Sequence, residues 1–236
     1  MLHIFDLEII YPDKTKAVDK FNLHINSGEN VALAGANGAG KSTIMLAVVG
    51  IVPISAGSIQ VDGITLEKKT VNEIRARTGL VFQNPDDQLF MVNIYNDIAF
   101  GPRNYGLSEE EVRLRAEEAL SQLGISRLKE RSALKLSAGE KRLAAIATVL
   151  SMRPSLLLFD EPTAFLDLKS RRNLIRLIKN MPYTKLIVSH DLMFLEETCG
   201  RTVLMKEGSV FAEGPAKEIF RNKSLMEDGG LEGLTA

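Results

Sequence analysis

The segment Gly35-Ala36-Asn37-Gly38-Ala39-Gly40-Lys41-Ser42 fits the pattern G-x-x-x-x-G-K-[ST]. Its glycines let a loop wrap so tightly that successive backbone N–H groups point inward at an anion. In such a loop the lysine reaches the β and γ phosphates of a nucleotide, and the serine hydroxyl coordinates Mg²⁺. Further along, Leu156-Leu157-Leu158-Phe159-Asp160-Glu161-Pro162 delivers two carboxylates at the end of an apolar run. Asp160 is suited to hold Mg²⁺ through a water, and Glu161 to polarise an attacking water. Alone, the first stretch reads as a Gly-rich turn and the second as an ordinary exit from a strand. Together they describe phosphoryl transfer.

These residues do chemistry only if the chain positions them. Asn30–Ala34 reads as a strand that runs into the glycine turn, and Lys41–Val49 as a helix whose positive end faces the same anion. Leu156–Phe159 is apolar throughout, as a strand covered on both faces of a parallel sheet must be. Ligands of open α/β sheets gather at the carboxyl ends of such strands. Further β runs lie at 2–10, Val18–Ile25, Gly57–Val61, Gly79–Phe82 and Lys185–Val188, with a hairpin-like pair at Thr202–Lys206 and Ser209–Ala212.

From about Pro85 to Arg153 the pattern turns helical. Ser108-Glu109-Glu110-Glu111 has the form of a capping box. Val112, Ala116, Ala119, Leu120 and Leu123 then recur along one helical face, and Gly124 supplies a left-handed cap. A second helix runs from Ala138 or Gly139 to about Ser151, and others over Lys169–Lys179 and Leu192–Thr198. The expected organisation is one α/β domain over residues 1–225 with a helical subdomain at about 86–153. A frayed tail at 226–236, rich in glycine and acid, would follow.

Composition narrows the class. The chain has 236 residues, 45% hydrophobic and 25% charged, enough for one large α/β domain. A net charge of −1 argues against a nucleic-acid partner, which calls for a basic excess. The single cysteine, Cys199, excludes an internal disulfide framework and fits a reducing compartment. The start of the chain carries acidic residues within its apolar stretch and lacks a basic leader. Nowhere does an apolar run reach the roughly 20 residues that span a bilayer.

The motifs in series resemble the ATP-binding subunits of ABC transporters. Leu136-Ser137-Ala138-Gly139-Glu140 is similar to the signature segment of that family, usually Leu-Ser-Gly-Gly-Gln, and lies upstream of the Asp-Glu strand as the family requires. Gln83 after a strand, Leu166-Asp167 after the Asp-Glu pair, Ser189-His190-Asp191 after another strand, and Tyr11 near the start fall in family order. The resemblance implies a P-loop NTPase core of the ABC ATPase type. Its sheet would be mainly parallel, with an N-terminal antiparallel part and a helical subdomain. It implies ATP and Mg²⁺ as ligands. Tyr11 would stack on adenine, and Gly35, Asn37, Gly38, Ala39, Gly40, Lys41, Ser42 and Thr43 would contact the nucleotide. Ser42, Gln83 and Asp160 would serve the metal, while Lys41, Glu161 and His190 would be catalytic. Ser137, Gly139, Glu140 and Asp167 would face ATP held by a second ABC subunit, either the same chain or a homologue.

Two positions depart from the signature. Ala138 replaces a glycine, and Glu140 replaces glutamine, which sets a carboxylate close to a polyphosphate and is unfavourable unless a cation relieves it. A narrower match, Phe82-Gln83-Asn84-Pro85-Asp86-Asp87-Gln88-Leu89-Phe90 followed by Asp97-Ile98-Ala99-Phe100-Gly101-Pro102, resembles the ATPases of energy-coupling-factor importers, which take up cobalt, nickel or vitamins. It implies membrane-spanning partner subunits and a place on the cytoplasmic face of the cell membrane. Asp86 and Asp87 would offer carboxylates, and Leu89 and Phe90 an apolar floor, to such a partner. The competing expectation is a soluble ABC ATPase of iron–sulfur cluster assembly, against which the Gln83–Phe90 run argues.

Overall fold

The computed structural model describes residues 1–234. Its strands are β1 (Leu2–Ile10), β2 (Lys16–Ile25), β3 (Asn30–Gly35), β4 (Ala56–Val61), β5 (Ile64–Thr65), β6 (Thr78–Val81), β7 (Leu156–Asp160), β8 (Thr184–Val188), β9 (Arg201–Lys206) and β10 (Ser209–Pro215). Its helices are α1 (Lys41–Val48), α2 (Val71–Arg77), α3 (Ile94–Asn104), α4 (Glu109–Gln122), α5 (Ala138–Leu150), α6 (Leu168–Asn180), α7 (Leu192–Thr198), α8 (Ala216–Arg221) and α9 (Lys223–Asp228).

Two sheets divide the strands. An antiparallel sheet has the order β2-β1-β4-β5, and a second sheet runs β10-β9-β3-β8-β7-β6, parallel except for β10. They meet where Asp19 N–H donates to the Gly208 carbonyl at 3.0 Å and Ser209 Oγ donates to the Asp19 carbonyl at 2.9 Å. In β1 the side chains alternate, Leu2 and Ile4 inward and His3 and Phe5 outward, as a half-covered sheet demands. In the central strands both faces are buried and split between two cores. Leu156 and Leu158 join β1, β2 and α1 in one core; Leu157 and Phe159 join α3 to α6 in the other. The parallel arrangement matters for chemistry, because it brings the carboxyl ends of β3, β6, β7 and β8 to one edge.

The helical region contains an element that sequence reasoning did not single out. α3 includes Gly101 and Pro102, residue types that interrupt a helical pattern. A proline at that position removes the N–H that would reach the Ile98 carbonyl four residues earlier. Ser151 Oγ donates to that carbonyl instead, at 2.9 Å, so the helix survives. The capping box anticipated at Ser108 is only half made. Ser108 Oγ accepts from Glu111 N–H at 3.3 Å, but the Glu111 carboxylate turns to Arg115.

The expected frayed tail is corrected over most of its length. Asn222 caps α9, Met226 is fully buried, and Leu231 and Leu234 pack on the core that holds α3 to α6. Leu234 N–H donates to the Phe220 carbonyl at 2.7 Å. Three apolar anchors outweigh the glycines between them; residues 235 and 236 lie outside the described region.

Candidate functional site

The loop between β3 and α1 takes backbone conformations that favour glycine, with φ of +154° at Gly35, +80° at Gly38 and +99° at Gly40. A Cβ at Gly35 would stand 2.6 Å from the Met205 carbonyl oxygen, and one at Gly40 2.4 Å from that of Ala17. Both obstacles are backbone, so neither can yield. Gly40 caps α1 without any side-chain bond, which leaves the first N–H groups of the helix free for an anion. Lys41 is 93% buried, and its Nζ donates to the carbonyls of Gly35 at 2.7 Å and Ala36 at 2.9 Å. Burial pulls the Lys41 ammonium below its ordinary pKa, against the opposing charges of Glu161 and Asp160.

The two carboxylates at the end of β7 occupy different surroundings. Asp160 is pushed above the usual carboxylate range by burial, opposed by a hydrogen bond from Ser42 and by the charges of Lys41, Arg142 and His190. Glu161 is buried and has φ of +45°, an uncommon conformation for a side chain of this size. Its Oε2 accepts from Ser189 Oγ at 3.0 Å and from His190 N–H at 3.1 Å. Its Oε1 is buried and makes no hydrogen bond; His190 Nε2 stands 3.5 Å away. A desolvated carboxylate oxygen with nothing to accept from is primed to take a proton donor from the cavity it faces.

That cavity, about 590 Å³, is lined by Tyr11, Asn37, Gly38, Gly40, Lys41, Ser42, Thr43, Gln83, Asp160, Glu161 and His190. Most of the sequence candidates thus converge on one site, where Tyr11 Oη also lies 3.1 Å from Thr43 Oγ1. Gly35 and Ala39 are buried beneath the loop. The remaining candidates, Ser137, Gly139, Glu140 and Asp167, line a separate cavity of about 550 Å³ between the starts of α5 and α6. Asp167 caps α6, accepting from Lys169 N–H, Ser170 N–H and Ser170 Oγ at 2.8 to 2.9 Å. Gly139 packs so closely on that turn that a Cβ there would stand 2.6 Å from Ser170 Oγ.

Glu140 is not a bare charge. With Ser137 it forms the reciprocal capping box of α5, its Oε2 accepting from Ser137 N–H at 3.1 Å and Ser137 Oγ at 3.2 Å. Arg127 Nη2 donates to its other oxygen. These partners, Ser137 first and then the Arg127 and Arg131 charges, hold Glu140 below the usual carboxylate range.

Sequence reasoning assigned no individual role to three residues. Arg142, 1% exposed, donates from Nη1 to the Phe82 carbonyl and from Nη2 to the Gln83 carbonyl, both at 2.6 Å. Burial lowers it to about 10, with Asp160 opposing. The signal was there: a charge inside the buried stripe that continues through Ala145 and Ile146. Gln88 accepts from Phe82 N–H and donates to the Ala145 carbonyl and Thr148 Oγ1. Ser189, beside His190, fixes Glu161. Two expected docking groups change character: Leu89 is buried, and Asp86 is paired with Lys141 at 2.6 Å.

Residues 18–164 match the family model described as ABC transporter. The energy-coupling factor transporter ATP-binding protein EcfA of Methanothermobacter thermautotrophicus is 40% identical, over 98% of this chain and 76% of that protein. The structure of cbiO1 from Clostridium perfringens, described as part of the ABC transporter complex cbiONQ, superposes with a TM-score of 0.85 at 37% identity, covering 96% of this chain and 93% of that one. The dimeric ATP-binding cassette MJ0796, bound to ADP and Pi, gives a TM-score of 0.81 at 26% identity, covering 92% and 99%. Among the described residues no helix is long and apolar enough to cross a membrane.

Proposed function

Because the chain belongs to the ABC transporter ATP-binding family, whose members are ATPases, we propose that it energises a membrane importer of the energy-coupling-factor type, with a transition-metal ion such as cobalt or nickel, or a vitamin, as solute. ATP lies in the cavity of the phosphate loop, with Tyr11 on the adenine, Lys41 and the loop amides on the phosphates, and Glu161 and His190 at the attacking water. The donors Ser42 Oγ, Gln83 Oε1 and the Asp160 carboxylate are hard oxygens, the kind Mg²⁺ selects. Their side chains open on the cavity that also holds Lys41, so the set fits the ion. Bound there, Mg²⁺ neutralises charge on the β and γ phosphates. The second cavity, with Ser137, Gly139, Glu140 and Asp167, serves ATP on a partner cassette, which supports a dimer at the cytoplasmic face.

One observation carries the transport reading. Phe90 is 61% exposed and Val92 83% exposed, with Phe100 standing edge-on to Phe90 at 5.1 Å between ring centroids. This apolar patch follows Gln83 by a few residues, and Gln88 ties the intervening stretch to Phe82 N–H, next to Gln83, as a dock for a membrane subunit would be. Asp97 holds the patch from below, its Oδ1 accepting from Phe90 and Met91 N–H groups at 2.9 Å. Replacing Phe90 and Val92 together by aspartate should release the protein from membranes while Mg-ATP binding persists. A double variant that sediments with membranes and supports uptake at the wild-type rate would remove this reading.

A further inference from the structure

At the end of the antiparallel sheet remote from the phosphate loop, His3 of β1 faces His24 of β2 as a direct cross-strand pair. Both side chains are exposed, and their Nδ1 atoms are hydrogen-bonded at 2.9 Å with the ring centroids 4.1 Å apart, so the metal-free pair shares one Nδ1 proton that an ion would displace as His3 takes its Nε2–H tautomer. The rings therefore meet nitrogen to nitrogen. The geometry points to a divalent transition-metal site chelated by His3 Nδ1 and His24 Nδ1, selective for Cu²⁺ or Ni²⁺ over Zn²⁺.

The selectivity follows from the spacing. An ion that replaces the shared proton and keeps the nitrogens at this spacing, with metal–imidazole bonds of about 2.0–2.1 Å, meets them at an angle near 90°, whereas a tetrahedral ion needs them about 3.3 Å apart. Right-angled donors suit the tetragonal coordination of Cu²⁺ and Ni²⁺, and imidazole is a good ligand for both.

A second, independent observation fixes the ligand nitrogen. His24 Nε2–H donates to Asn26 Oδ1 at 2.9 Å, which leaves Nδ1 as the unprotonated nitrogen of the neutral ring. A partner on the far nitrogen is how proteins orient a metal-binding histidine. Asn26 is itself held, its N–H donating to Glu29 Oε2 at 2.9 Å, and Glu29 accepts from Arg201 Nε at 2.6 Å. Arg201 also donates to the His24 carbonyl at 2.6 Å. His24 is thus anchored through its ring and its backbone by a chain of polar contacts that runs into β9.

Around the pair lies an open hollow of about 600 Å³ that admits the ion and its waters. Among the described residues no group of three or more His, Cys, Asp or Glu side chains is arranged as a metal site, so water fills the remaining positions. The site stands apart from the nucleotide: His3 to Tyr11 spans roughly 26 Å of extended chain. Its effect is to clip β1 to β2.

Titration of the nucleotide-free protein with Cu²⁺, read by calorimetry and electron paramagnetic resonance, tests this. Expected are one ion per chain, a spectrum with two equivalent imidazole nitrogens, and a rise in Tm with Cu²⁺ or Ni²⁺ that Zn²⁺ does not match. His24→Gln should weaken Cu²⁺ at least tenfold and abolish the rise in Tm, and Asn26→Ala should cost about tenfold. His190→Ala should change neither. Circular dichroism reports whether each variant is folded, Mg-ATP affinity does so for the His3, His24 and Asn26 variants, and His3→Gln provides a second deletion of the pair. Wild-type Cu²⁺ affinity in His24→Gln, or a single-imidazole spectrum in wild type, would place the ion on the N-terminal amine and His3 instead and overturn the proposal.

Discussion

Arg127 Nη2 donates to Glu140 Oε1 across 2.7 Å, joining two residues thirteen positions apart in the chain. The carboxylate that departs from the family signature therefore carries its own counter-charge. Glu140→Gln should leave ATP turnover in the assembled transporter within about twofold of wild type, because the capping box of α5 accepts glutamine as well.

The informative variant is Arg127→Ala. It strips the nearer counter-charge, leaving only Arg131, from a carboxylate that in the proposed dimer would lie beside the partner's ATP. At an effective dielectric of about 20, an unpaired charge about 8 Å away costs roughly 2 kcal/mol, which salt screening reduces. Turnover should fall about tenfold, and Arg127→Ala/Glu140→Gln should recover it. A double variant as slow as the single one would assign Arg127 a different task.

In the proposed mechanism Glu161 acts in hydrolysis and not in binding, so its replacement should separate the two. Glu161→Gln keeps the size of the side chain, its acceptor oxygen for Ser189, and the left-handed backbone, while it removes the base. Mg-ATP binding should persist and turnover should drop by about 10² to 10⁴, with the ATP-loaded dimer accumulating on size exclusion. Lys41→Ala should instead abolish tight Mg-ATP binding in calorimetry. Equal turnover by the glutamine variant would take Glu161 out of the mechanism.

Lys185 gives a pH test of the fold. It is 1% exposed, and its Nζ donates to the carbonyls of Met181 and Tyr183 and to Asn30 Oδ1, closing the end of α6. Burial drives its pKa down to about 8 from the ordinary lysine value of 10.5. Between those values the unfolded chain binds more protons, so this residue's contribution to stability rises with pH through that window. Lys185→Met should lose about 1–3 kcal/mol, because the stranded carbonyls keep no partner. The gap between wild type and variant in urea unfolding should widen from pH 7.5 to 9.5; a constant gap would contradict the lowered pKa.

What could be read from the sequence was local. The glycines of 35–40 and the run Leu156–Glu161 announce themselves because loop wrapping and strand burial each impose residue types on neighbours in the chain. Helix α3 did not, because Gly101 and Pro102 interrupt its pattern and the compensating donor, Ser151, is 53 residues from the Ile98 carbonyl it satisfies. Arg127 and Glu140 are likewise joined only by the fold, and so the sequence suggested a repulsion that the structure relieves. The tail failed for the opposite reason. Its glycines and acids are conspicuous, whereas the anchors Met226, Leu231 and Leu234 are too sparse to form a period.

The paired grip of Arg142 on the carbonyls of Phe82 and Gln83 has a mechanical meaning. α5 begins at the segment that would touch a partner's ATP, and the stretch from Gln83 to Phe90 leads to the exposed aromatic patch. Arg142 fastens the start of that stretch to α5, and Gln88 fastens its middle to the Ala145 carbonyl and Thr148 on the same helix. Attachment at two separate points resists both sliding and pivoting of the stretch against the helix. A displacement of α5 would therefore carry residues 82–88 with it, and a push on that stretch would bear on α5.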